Sequence, residues 1–215
     1  MTQITHFWKW FQDNEEAIKN AFLIGLNTEE VFSHLNRNFK YISKRIGYII
    51  VPPSENQSKY TIIFTAEGYR KLFPKIIALE ERAPQLKYFV PQAFIKPMQE
   101  IEHIKNGNDA PRIYENYQIK ISQLYMALVN YDISRKQLRI KLFVSNYNYN
   151  KRFSDFESEL IFIVMEIIGE IAFRKHIKQI EFEELPSNVN GLLPLIDLPD
   201  FINYLYKINS RDKVS

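Results

Sequence analysis

Residues 155–185 read DFESELIFIVMEIIGEIAFRKHIKQIEFEEL, and this stretch decides the fold. Leu160 to Met165 is apolar without a break, and Ile167, Ile168 and Ile171 follow. That is wider than one helical stripe, so most of the circumference of a helix here should be buried. Ser154 or Asp155 is placed to cap it. Glu157 and Glu159 fall near its positive end, and Arg174, Lys175 and His176 near its negative end. The residues after it alternate. Ile180, Phe182 and Glu184 share one face and Gln179, Glu181 and Glu183 the other, which is the pattern of a strand with one wet side.

The polar residues within this helix form the first candidate site. Glu159, Glu166 and Glu170 fall on one line at helical spacing, continued by Arg174. One reading is a row of carboxylates facing a cleft, as general base or metal ligands. The other is the solvated edge of a buried helix, with Glu170 pairing Arg174. The second is preferred, because metal-binding helices usually add a His three or four residues from the Glu and none is present.

Outward from this stretch, the sequence yields two runs of the same element order. Upstream of the helix, Ile119, Ile121, Leu124, Met126, Leu128 and Asn130 mark a long strand, with a bulge at Ser122-Gln123 where the alternation shifts phase. Leu138, Ile140, Leu142 and Val144 mark a second strand after a turn at Asp132–Lys136. With the helix and the strand that follows it, residues 117–185 read strand, strand, helix, strand. Residues 46–95 read the same way. Ile46–Val51 and Tyr60–Thr65 are strands separated by Pro52-Pro53 and a polar loop over Ser54–Ser58. An irregular turn spans Glu67–Leu72. A helix runs from Pro74 to Arg82 with Ile76, Ile77 and Leu79 inward, and an edge-like strand spans Leu86–Ile95, since Pro91 removes a ladder donor.

The N-terminus adds two helices. In the first, Ile4, Phe7, Trp8, Phe11, Ile18 and Phe22 recur at helical spacing, with Lys9, Asp13, Glu15, Glu16 and Lys19 between them. The second opens on Asn27 with Glu30 as a capping box and turns Val31, Phe32, Leu35 and Phe39 inward. A last short helix spans Asp200–Ile208, and the RDKVS end should fray. The expected fold is α+β: two strand-strand-helix-strand units in antiparallel sheet or sheets with helices on one side, plus the N-terminal helical pair. Asn106 to Pro111 is turn chemistry. The expected division is therefore 1–98 and 112–215, either as two domains or within one core.

Composition excludes several classes. The chain of 215 residues has no cysteine, so disulfide scaffolds, thiolate zinc sites and cysteine nucleophiles are out. The net charge is only +3 and no basic block stands out, so obligate nucleic-acid binding is not indicated. The N-terminus lacks the pattern of a signal peptide and no apolar run is long enough to span a bilayer. A cytoplasmic location without membrane contact is expected. Dinucleotide, phosphate-loop and G-x-S-x-G patterns are absent, and the four histidines have no partner at metal-ligand spacing. No cofactor or metal is expected, and an enzyme of a common class is disfavoured.

The segments HFWKWFQDNEEAI, TAEGYRKLFP and ERAPQLKYF resemble an uncharacterised bacterial protein family. Its members begin with an F-W-x-W-F segment followed by N-E, then carry a strand ending in a T/S-A-[DE]-G turn and a helix ending at A-P. The matching positions are Phe7, Trp8, Trp10, Phe11, Asn14, Glu15, Thr65, Ala66, Glu67, Gly68, Ala83 and Pro84, and Gly169-Glu170 is similar as well. The resemblance implies no activity, and its motif residues read as structural.

The leading functional reading is a non-enzymatic binding protein of a bacterial cell, such as a toxin-neutralising or accessory protein, with a protein partner. Its candidate contact residues are Trp10, Tyr41, Tyr147 and Tyr149, aromatic side chains of the kind enriched at interfaces. The alternative is a hydrolytic or metal-assisted enzyme using Glu159, Glu166 and Glu170 with His176. A third is a single-stranded nucleic-acid binder through the NYNYNKR loop at 146–152. The edge strand holding Pro91 leaves a dimer open.

Overall fold

The computed structural model describes residues 2–53, 57–99 and 101–211. The polar loop expected over Ser54–Ser58 lies partly outside them, and so does residues 212–215 of the RDKVS end. The chain is an α+β protein that divides into two compact units, Met1–Ile95 and Lys96–Ser215.

The first unit opens with the helical pair α1 (Gln3–Ile24) and α2 (Thr28–Ile42). Thr2 caps α1, its hydroxyl accepting from the Thr5 N–H. Gly25 ends it at φ +68°, a conformation that glycine adopts without a Cβ penalty. Asn27 occupies the N-cap of α2 at φ +50° but makes no side-chain cap bond, so the expected capping box does not form. Strands β1 (Gly47–Val51) and β2 (Tyr60–Thr65) pair antiparallel. A 3-10 turn at Arg70–Leu72 leads into α3 (Phe73–Glu81), which has Pro74 in its first turn, where the missing N–H costs nothing. β3 (Phe89–Ala93) completes the order β1-β2-β3. It is an edge strand, as Pro91 requires.

All three helices gather on one face of this sheet. The Phe64 ring on β2 meets Phe7, Trp8 and Phe39 at 5.8–6.3 Å. Phe11 meets Phe89 edge-on at 5.3 Å. The Trp8 indole N–H donates to the Leu79 carbonyl of α3 at 3.0 Å, which satisfies its one polar atom inside the core. Ile76 and Leu79 are buried, whereas Ile77 faces outward.

The second unit has α4 (Glu102–Lys105), a helical turn just before the Asn106–Pro111 turn stretch, and the small hairpin β4 (Arg112–Ile113) and β5 (Gln118–Ile119). β6 (Tyr125–Asp132) and β7 (Gln137–Val144) then pair antiparallel. The expected single long strand is broken by a 3-10 turn at Ile121–Gln123, so the phase shift there is a turn and not a bulge. The bulge lies further on, between Leu128 and Asn130. α5 (Tyr147–Asn150), α6 (Phe156–Ile168), α7 (Glu170–His176) and β8 (Ile177–Glu184) follow. β9 (Leu193–Pro194) and α8 (Leu198–Arg211) complete the unit, with sheet order β8-β7-β6-β9.

Two expectations change. The sheets are mixed, not wholly antiparallel: β3 lies parallel to β2, and β8 parallel to β7. Each of these strands follows helix that crosses the sheet, and a chain returned by such a crossover runs in its original direction. The long helix is also two helices. Gly169 sits at φ +80° and ψ 150°, a region that is essentially glycine's alone, and it separates α6 from α7.

Glu15 departs furthest from its expected place on the wet side of α1. It is buried, and its carboxylate accepts from the backbone N–H groups of Lys87 at 3.1 Å, Phe89 at 3.2 Å and Tyr88 between them. Glu15→Gln keeps the shape but turns one acceptor into a donor facing those N–H groups. It should lower unfolding free energy by about 2 kcal/mol, read as a fall in the urea midpoint. Glu16→Gln, on the exposed side of the same helix, should stay within about 0.5 kcal/mol.

Candidate functional site

The carboxylate line of α6 is held by Arg112 and Tyr114, which lie between the expected turn at Asn106–Pro111 and the expected strand from Ile119. Arg112 on β4 brings its guanidinium to 2.5 Å from Glu166, and both side chains are less than a third exposed, at 31% and 24%. The Tyr114 hydroxyl donates to Glu159 at 3.0 Å. Tyr114 and Tyr117 stack at 4.7 Å across the β4–β5 turn, and Tyr117 meets Phe156 edge-on at 4.9 Å. Their spacing in RIYENY was the available signal: two tyrosines three apart beside an arginine, in a segment too short to show a period.

The electrostatics follow from burial. Burial pushes the Glu166 carboxyl above the usual carboxylate range, and Glu159 adds to this, while Arg112 opposes it. Burial and then the bond to Glu159 push the Tyr114 phenol up to about 12. Tyr117 is raised by burial and by the Asp155 carboxylate, although its hydroxyl meets no hydrogen-bond partner among the described residues. Asp155 holds the N-cap position of α6 without making a cap bond.

The edge reading of this line is therefore overturned. Glu170 is fully buried at the start of α7, and Glu166 is bound in an ion pair. His176, the histidine of the enzyme reading, has contacts of its own. His176 is buried at the end of α7, with Nδ1 3.2 Å from the Lys136 carbonyl and 3.1 Å from the Tyr206 hydroxyl. Burial holds its pKa below the ordinary histidine value, with Lys175 and Lys136 adding to this. Its contacts tie the β6–β7 turn, where Lys136 has φ +55°, to α8. Among the described residues no group of three histidines and carboxylates is placed to hold a metal.

The aromatic candidates separate into different roles. Tyr147 is structural: it stacks with Phe182 at 6.1 Å and donates to Glu157 at 2.7 Å, and burial followed by that bond pushes its phenol up to about 12. Tyr149 is exposed, with the Arg152 guanidinium 3.6 Å from its ring centre. Trp10 and Tyr41 come together. Both line a groove of about 470 Å³ between α1 and α2, with Gln3, His6, Phe7 and Asn38. Tyr41 is 66% exposed, and Trp10 rests partly buried on the core. Lys40 and Arg37 of α2 and Lys44 beyond its end carry positive charge nearby in sequence, and residues 31–53 contain no Asp or Glu.

Compared with known protein families, curated proteins and solved structures, the chain gives no match. Among the described residues no helix is long and apolar enough to cross a membrane.

Glu166 gives the test of this cluster. A carboxyl whose folded pKa is raised contributes most below its unfolded pKa, and that contribution is lost as pH rises through the folded value. Wild-type protein should lose stability relative to E166Q as pH rises above about 4, measured as the difference in urea midpoints. A flat difference would mean that Arg112 cancels the burial penalty.

Proposed function

We propose that this chain is a non-catalytic binding protein of the bacterial cytoplasm, which takes an acidic segment of a protein partner, anchored by apolar side chains, in the groove between α1 and α2. The observation that carries the reading is the convergence of Trp10 and Tyr41 in that groove from two different helices. Aromatic side chains with one buried and one open side are the usual anchors of binding energy. The groove's lining is apolar and neutral polar, and the carboxylate-free stretch that includes α2 beyond Glu30 supplies the complementary charge. A toxin to be neutralised, or an enzyme that the protein assists, is a partner of this kind.

The enzyme reading retains one supporting observation, the raised pKa of Glu166. Against it stand the ion pair that occupies this carboxylate and the separate contacts of His176.

The test is recovery of a stoichiometric partner from the native host, followed by titration of that partner against variants. Trp10→Ala and Tyr41→Ala should each weaken binding by about tenfold or more. Arg37→Glu with Lys40→Glu should slow association and flatten its salt dependence. Tyr204→Ala, an exposed aromatic on α8, should change nothing. Failure to recover a partner, or unchanged affinity in both aromatic variants, would overturn the proposal.

A further inference from the structure

A cavity of about 540 Å³ opens in the second unit, beside α5 and the 3-10 turn at Ile121–Gln123. Asn150 marks it. This side chain is only 8% exposed and lines the cavity. Gln118, Gln123 and Asn146, all exposed, also line the cavity and present their amides there. No carboxylate lines it.

The surrounding charges are specific. Lys120 lines the cavity and uses one N–H on the Gly107 carbonyl at 2.8 Å, which leaves two donors. Glu184, beside the α5 turn, is occupied by the backbone N–H groups of Asn146 at 2.6 Å and Asn148 at 2.8 Å. Asp109 accepts from the Ser122 N–H. Tyr149 lines the cavity with the Arg152 guanidinium stacked on its ring.

We infer that this cavity binds a nucleotide, with the base among the amides and against Tyr149 and the phosphate toward Lys120. Side-chain amides present a donor and an acceptor side by side, which is the complement of a base edge. Planar bases stack on tyrosine and on guanidinium planes. A neutral sugar would use the amides but leave the cations without a role. The volume suits a small-molecule site. A single-nucleotide site also needs no long basic stripe, so the small net charge does not oppose it. The base can arrive on a free mononucleotide or within a single strand, and the chemistry recognised is the same. This inference rests on the second unit alone and is independent of the α1–α2 groove.

The test is calorimetric titration of the full chain with the four ribonucleoside monophosphates, with single-stranded RNA and DNA tetranucleotides, and with maltose. Asn150→Leu keeps the buried volume but removes the amide. Tyr149→Ala removes the platform at an exposed position, where folding should be unaffected. At least one nucleotide or tetranucleotide should bind at or below about 1 mM, and both variants should weaken it by at least about tenfold. Tyr204→Ala should bind as wild type. Equal affinity for mononucleotide and tetranucleotide would assign a free nucleotide, and binding of tetranucleotides alone would assign a single strand. No binding by any nucleotide at about 10 mM, unchanged affinity in both variants, or tighter binding of maltose would overturn the inference.

Discussion

The Glu15 carboxylate holds the first unit in register. β3 follows a crossover, so its leading N–H groups cannot be met by a hairpin turn, and buried backbone donors must be met by something. Glu15 reaches from α1 to the N–H groups of residues 87–89 and supplies charge-assisted acceptors for all three. One side chain thus fixes helix to strand end. The second unit uses the same device at another corner. Glu184, at the end of its parallel strand β8, accepts from the N–H groups that follow β7. In each unit a carboxylate completes the backbone bonding that the crossover leaves open.

The second unit shows how polar groups on one helix acquire different fates. Glu159 and Glu166 lie on the same line of α6, yet a phenol holds one and a guanidinium the other. Gly169 then ends α6, and Glu170 enters α7 fully buried. A line drawn at helical spacing through all three assumes a continuous helix, and the helix is not continuous. On the other face of the sheet, Arg139 pairs Glu181 and Lys141 pairs Glu183 across β7 and β8, so the wet side of these strands is laced by ion pairs.

Much of this was legible because burial imposes periods. The alternation in β2, β7 and β8, the helical stripe of α1 and the order of both units follow from which residues must leave water. What was not legible are features that rest on single contacts. Glu15 breaks no period, and only the presence of residues 87–89 makes its burial favourable. Gly169 lies in an otherwise unbroken helical pattern, where one glycine is ordinarily tolerated. Arg112 and Tyr114 act from a hairpin of two-residue strands, below the length at which alternation can be counted. For the candidate sites, Trp10, Tyr41 and Tyr149 were each visible as aromatics without a core role. That Trp10 and Tyr41 share a groove, and that Asn150 is buried beside Tyr149, depends on packing between segments and left no mark on local pattern.

The span of the Glu15 contact also sets an order of events during synthesis. The residues it joins lie up to 74 positions apart. While the chain is being made from its N-terminus, α1 is complete long before its anchoring strand exists, and its Phe7, Trp8 and Phe11 face has no sheet to cover. The β1–β2 hairpin can close locally, but closing the first unit must wait for β3, because non-local pairing follows loop closure. Until then the nascent chain carries an aromatic helix without its docking surface, which is the stage at which such chains are most open to misassembly or to chaperones.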